Sequence, residues 1–98
     1  MTLKTNLDGT KLTIEIIGRL DTSTAPQLEE EISKSVEEIK TLVLDFGQLE
    51  YISSAGLRVL LKSQKSMMKK GKMIIVNASE TIREVFELTG FMDILTLG

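Results

Sequence analysis

Few side chains in this sequence are equipped for chemistry, and their types narrow what it can do. The 98 residues include no histidine and no cysteine. Histidine is the commonest general base near neutral pH and the commonest transition-metal ligand, and cysteine supplies thiol nucleophiles, zinc thiolates and disulfides. Catalysis would have to rest on Asp, Glu, Lys or Tyr51. The segment Ile52-Ser53-Ser54-Ala55-Gly56 lacks the first glycine of a nucleophile elbow, and no Walker-type phosphate loop is present. The chain does carry two hydroxyl-rich stretches, Gly18-Arg19-Leu20-Asp21-Thr22-Ser23-Thr24 and Tyr51-Ile52-Ser53-Ser54-Ala55-Gly56-Leu57. These properties favour a protein that binds a partner over an enzyme.

The second stretch leads straight into a helical pattern, which gives its residues two readings each. Ser54 suits a helix N-cap, with its hydroxyl satisfying an orphan backbone N–H, and Ser53 is the neighbouring candidate for that role. Gly56 sits in the first turn, where glycine costs up to about 1 kcal/mol relative to alanine. Either close helix–strand packing or the close approach of a partner explains it. Arg58 follows Ser54 by one helical turn, so its guanidinium can reach an anion on Ser54 or simply lie solvated on an exposed face. Asp21 and Asp45 both fall near strand ends. Asp45 reads as ending its strand by bonding to nearby backbone, with a shared magnesium ion as the alternative.

The elements that must position these residues are legible as changes of period. Leu12, Ile14 and Ile16 alternate with Thr13 and Glu15, as Leu3, Thr5 and Leu7 do before them, and Asp8-Gly9 signals a turn. The spacing predicts an antiparallel pair, Leu3–Leu7 and Lys11–Ile17, ended by Gly18. Thr24 opens a helix with Gln27 at capping-box spacing, Pro26 in the first turn, and Leu28, Ile32, Val36 and Ile39 along one face. Thr41–Phe46 is a short apolar run that suits a central strand covered on both faces. A second helix is expected from about Ser54 to Lys70, burying Leu57, Leu60, Leu61 and Met68, with Gln64 as a polar interruption and Gly71 as its C-terminal cap. Met73–Val76 reads as another strand. Ser79, although part of an Asn-Ala-Ser sequon, reads as the cap of a third helix with Ile82, Val85 and Phe86 inward, ending near Gly90. Ile94–Leu97 is either a short edge strand or a packed tail.

The order β-β-α-β-α-β-α implies a largely parallel sheet with right-handed crossovers. In such sheets, active positions gather where strands end and helices begin, which is where both hydroxyl-rich stretches fall. With 42% apolar and 27% charged residues, the composition is that of one globular domain spanning residues 1–98. A net charge of −2 offers no general attraction to nucleic acid or anionic lipid. Lys62, Lys65, Lys69, Lys70 and Lys72 cluster around the end of the second helix. They complement its dipole or meet an acidic patch on a partner. Apolar runs of four or five residues cannot span a membrane, and no secretory leader is visible, so the expectation is a cytoplasmic protein.

Four motifs in order carry a resemblance across essentially the whole chain. Gly18-Arg19-Leu20-Asp21 with Thr24-Ala25, Ile52-Ser53-Ser54-Ala55-Gly56-Leu57, Gly71-Lys72 before a strand, and Val85-Phe86-Glu87-Leu88-Thr89-Gly90 resemble the STAS domain of bacterial anti-sigma factor antagonists. The resemblance implies an α/β STAS fold: a mixed four- to five-stranded sheet with three or four helices packed on it. It also implies a switch. Such proteins, when unphosphorylated, bind an anti-sigma factor that is also a serine kinase and so free a sigma factor for transcription. Phosphorylation releases them, and a serine phosphatase resets the cycle. The family's modified serine falls on Ser54, with Ser53 the adjacent alternative, and its loop aspartate falls on Asp21. The partner-binding surface is expected to comprise Asp21, Thr22, Ser53, Ser54, Gly56, Leu57 and Arg58. No cofactor, metal, nucleic acid contact or membrane insertion is implied, and the chain is expected to be a monomer or a weak dimer. The sequence departs from the pattern where many members carry aspartate before the modified serine, because Ser53 stands there. A second implied role is that of an unphosphorylated STAS subunit in a lipid-transport or stress-signalling assembly.

Overall fold

A computed structural model describes residues 1–98. Strand β1 (Thr2–Asp8) turns through Gly9 and Thr10 into β2 (Lys11–Leu20). The two pair antiparallel from Thr2 opposite Ile17 to Asp8 opposite Lys11. The loop therefore starts at Gly9, whose φ of +62° is open to a residue without Cβ. Then follow α1 (Ala25–Ser35), β3 (Thr41–Asp45), β4 (Leu49–Ile52), α2 (Ser54–Met68), β5 (Lys72–Val76), α3 (Glu80–Thr89) and a single 3-10 turn at Phe91–Asp93. The sheet runs β1-β2-β3-β5, with only β1 antiparallel, and β4 pairs with the far end of β2. This is the expected mixed α/β sheet.

Strand β4 was not visible in the sequence. It has four residues, Leu-Glu-Tyr-Ile, buried at both ends and exposed in the middle, so it shows no period of two. Its pairing also depends on a feature of β2. The strand does not end at Gly18 but runs two residues further, with a bulge between Gly18 and Arg19 and φ +102° at Gly18. Beyond the bulge, Arg19 and Leu20 pair with Tyr51 and Ile52.

From β2 to β3 to β5 each step moves one way across the sheet, and right-handed crossovers then place their helices on one face. The burial pattern agrees. Leu12, Ile14, Leu42, Leu44, Met73 and Ile75 join the core, whereas Val43 lies outside it and Ile17, Ile74 and Val76 do not pack against it. The expectation that β3 is covered on both faces is therefore corrected. Val43 retains only 9% exposure because Thr13 and Ile74 flank it in register.

Helix α2 also corrects its predicted stripe. Met67 is fully buried and Met68 is 70% exposed, because the inward positions run Leu57, Leu60, Gln64, Met67. Leu61 is half-buried, and Gln64 points inward with its Oε1 unpartnered. Gly71 is needed for contact and not for a left-handed cap: a Cβ there would run into the Lys40 carbonyl, which accepts a hydrogen bond from Lys72 N–H at 2.9 Å. Gly90 does cap α3 in the left-handed conformation (φ +80°), and Ser79 Oγ accepts from Ile82 N–H at the other end. The last residues add a short edge to β5, with Ile75 N–H donating to Thr96 O and Gly98 N–H to Ile75 O.

Candidate functional site

The two hydroxyl-rich loops meet at the carboxyl ends of β2 and β4. Ser53 N–H donates to Leu20 O at 2.9 Å, so Asp21 and Ser54 each lie one residue past a bonded pair. The polar groups of the two loops have different fates.

In the first loop the polar groups are used internally. Asp21 Oδ1 accepts from Ser23 N–H (3.0 Å), Ser23 Oγ (2.8 Å) and Thr24 N–H (3.2 Å). Thr24 Oγ1 accepts from Asp21 N–H at 2.9 Å and donates to Arg19 O at 2.8 Å. Thr24 precedes the helix, as expected, but its side chain makes no capping bond to α1, because these bonds occupy it. The Ser23 hydroxyl and then the Thr24 donors hold the Asp21 carboxyl below the usual carboxylate range, outweighing the desolvation that opposes them. Arg19 stands 3.9 Å from Asp21 Oδ2 and lies over the Tyr51 ring at 4.2 Å. That Arg19–Tyr51 stack was missed in the sequence, since it requires the β2–β4 pairing.

In the second loop, Ser53 is the N-cap of α2, with Oγ accepting from Gly56 N–H at 3.4 Å. Ser54 is the first residue of the helix; it is exposed, and no hydrogen bond occupies its hydroxyl. The capping role thus belongs to Ser53, and Ser54 is left free. Gly56 is explained by packing: an added Cβ would stand 2.8 Å from Leu20 Cγ and 2.9 Å from Ile52 Cγ1. Gly56 and Leu57, expected among the partner contacts, are buried in the chain and support the surface from beneath.

Thr22 and Arg58 are exposed and line a common groove of about 380 Å³ between the starts of α1 and α2. Ala25, Pro26, Ala55 and Val59 add small and apolar lining, while Glu29 and Lys62 form a 3.3 Å ion pair across it. The α2 half of this groove follows from helical spacing after Ser54, but the α1 half required the tertiary structure. Asp45 does not join the site: its Oδ1 accepts from Gly47 N–H at 2.9 Å and Asn77 Nδ2 at 3.1 Å.

This arrangement, a free serine at a helix N-terminus beside a shallow groove, is suited to binding and modification. No helix is long and apolar enough to cross a membrane. Residues 3–98 match the family model for the STAS domain. BtrV of Bordetella bronchiseptica, whose name assigns it to the anti-sigma factor antagonists, is 40% identical over 83 residues, covering 83% of this chain and 72% of BtrV. The anti-sigma-B factor antagonist of Listeria monocytogenes is 28% identical over 92 residues, covering 92% of this chain and 81% of its own. SpoIIAA, an anti-sigma factor antagonist solved in its unphosphorylated form, superposes with a TM-score of 0.85 at 22% identity, covering 99% of this chain and 88% of SpoIIAA. The phosphorylated form of the Bacillus cell fate determinant SpoIIAA gives 0.79, also at 22% identity, covering 99% and 91%. The chain belongs to the STAS domain family, among the bacterial anti-sigma factor antagonists.

Proposed function

We propose that this chain binds an anti-sigma factor that is also a serine kinase, and that phosphorylation of Ser54 releases it. The observation that carries this reading is the division of labour between adjacent serines: Ser53 is committed to the helix cap, and Ser54 presents a free, exposed hydroxyl beside the groove. The existence of SpoIIAA in both phosphorylated and unphosphorylated forms supports it by analogy.

A phosphate on Ser54 adds close to two negative charges at a helix N-terminus, where free N–H groups and the dipole favour them, so the fold tolerates the change. Pressed into a protein interface without a cation, the same charge is costly to desolvate. A penalty of about 3 kcal/mol lowers affinity roughly a hundredfold. Arg58, exposed, in no ion pair and one turn along, is the side chain suited to draw that phosphate away from the partner. A serine phosphatase then resets the cycle in the cytoplasm.

The test is intact-mass analysis after incubation with ATP and each serine-kinase anti-sigma factor of the same organism. One phosphate is expected, lost in Ser54→Ala and kept in Ser53→Ala. Arg58→Ala is expected to slow partner release after phosphorylation. No phosphate on the folded chain with any of these kinases would reject the switch and leave an unphosphorylated assembly subunit.

A further inference from the structure

We infer that the face of the sheet opposite the helices pairs with a second copy of this chain, as a weak antiparallel dimer independent of the Ser54 switch. Alternation along the strands sends Lys11, Thr13, Glu15 and Ile17 of β2 to that face, with Thr41, Val43 and Asp45 of β3 and Lys72, Ile74 and Val76 of β5. No helix covers it. Its centre is apolar, with Val43 beside Ile74, and neither joins the core beneath.

Four of the six charges on that face are self-complementary; of the other two, Asp45 is already bonded to Gly47 N–H and Asn77 Nδ2, and Lys72 falls over Val76 of the second copy. In register, Asp8 and Lys11 share one row, Thr13 and Val43 the middle row, and Lys4 and Glu15 the row beyond. A two-fold axis through the middle row, across the strands, stacks Val43 on its own copy. It sets Lys11 over Glu15 of the second copy and Lys4 over Asp8. None of these four charges is in an ion pair within the chain, although Lys4 stands opposite Glu15 and Asp8 opposite Lys11. Glu15 has only the Gln48 amide, at 3.5 Å. Each of these charge pairs therefore occurs twice in the one interface by symmetry. A twist of about 30° between stacked sheets leaves long Lys and Glu side chains within reach.

Size sets the strength. Four strands at about 4.8 Å spacing and five residues at about 3.3 Å project roughly 300 Å² per copy. Doubling this gives well under the roughly 1,200 Å² of stable interfaces, so the dimer is weak and reversible. The α1–α2 groove stays open in both copies.

Sedimentation equilibrium between about 10 µM and about 1 mM tests the inference. A reversible monomer–dimer equilibrium is expected, weakened at least about tenfold by Lys11→Glu and restored by combining Lys11→Glu with Glu15→Lys. Lys4→Glu with Asp8→Lys is the second swap, used in the same way if the first lowers the melting temperature. A monomer throughout the range, a dimer indifferent to both single reversals, or a swap that fails to restore pairing in a folded variant would each overturn it.

Discussion

The two hydroxyl-rich loops stand side by side at the carboxyl ends of β2 and β4, and they use similar residues to opposite ends. In the first, Asp21, Ser23 and Thr24 bond to one another and to Arg19 O, so the loop is held closed by its own polar groups. In the second, one hydroxyl caps the helix and the next is left without a partner. Composition does not distinguish an available serine from a committed one; the deciding property is whether a backbone N–H or carboxylate already lies within reach. Helix geometry imposes the difference, because the N-cap faces the N–H groups of the first turn while the first helical residue points away from them.

Three perturbations test that contrast, in decreasing order of effect. Gly56→Ala drives a Cβ into Leu20 and Ile52, and overpacking of this kind costs about 1–3 kcal/mol, against up to about 1 kcal/mol gained in helix propensity. A lowered urea midpoint is expected; an unchanged or raised one would mean that the second loop does not depend on close contact with the first. Next, Ser53→Ala should cost about 0.5–1 kcal/mol, as the capping bond is long, while Ser54→Ala stays within about 0.5 kcal/mol of the parent. Equal losses at the two serines would erase the distinction between them. The smallest effect belongs to Asp21→Asn, measured as melting temperature between about pH 2 and about pH 7. The folded-state pKa of Asp21 is depressed, so its contribution is full above the ordinary carboxylate value of about 3.9 and is lost as pH falls through the lower folded value. The gap between parent and variant should therefore close below about pH 4, and a gap constant across the range would reject the hydrogen-bonded carboxylate.

Much of the architecture was legible locally. Alternation marked β1 and β2, the apolar runs marked β3 and β5, and Ser79 with Gly90 bracketed α3 as its caps. The misses share a cause. Strand β4 is too short to show a period, and its partner lies beyond a bulge. Met68 was taken for core because one step along a helix turns a side chain by about 100°, and only packing shows which methionine faces inward. Gly71 was assigned to a cap when a carbonyl more than thirty residues away was the reason for it.

By itself the sequence determined which side-chain chemistries are missing, the order of the strands and helices other than β4, and the position of the two hydroxyl-rich loops at strand ends, because composition and period are local properties. Tertiary structure decided which serine is free, why Gly56 must lack a side chain, how α1 and α2 share a groove, and that one sheet face has no helix over it. Each of these depends on which groups approach across the fold, and such distances are set by packing between elements distant in sequence.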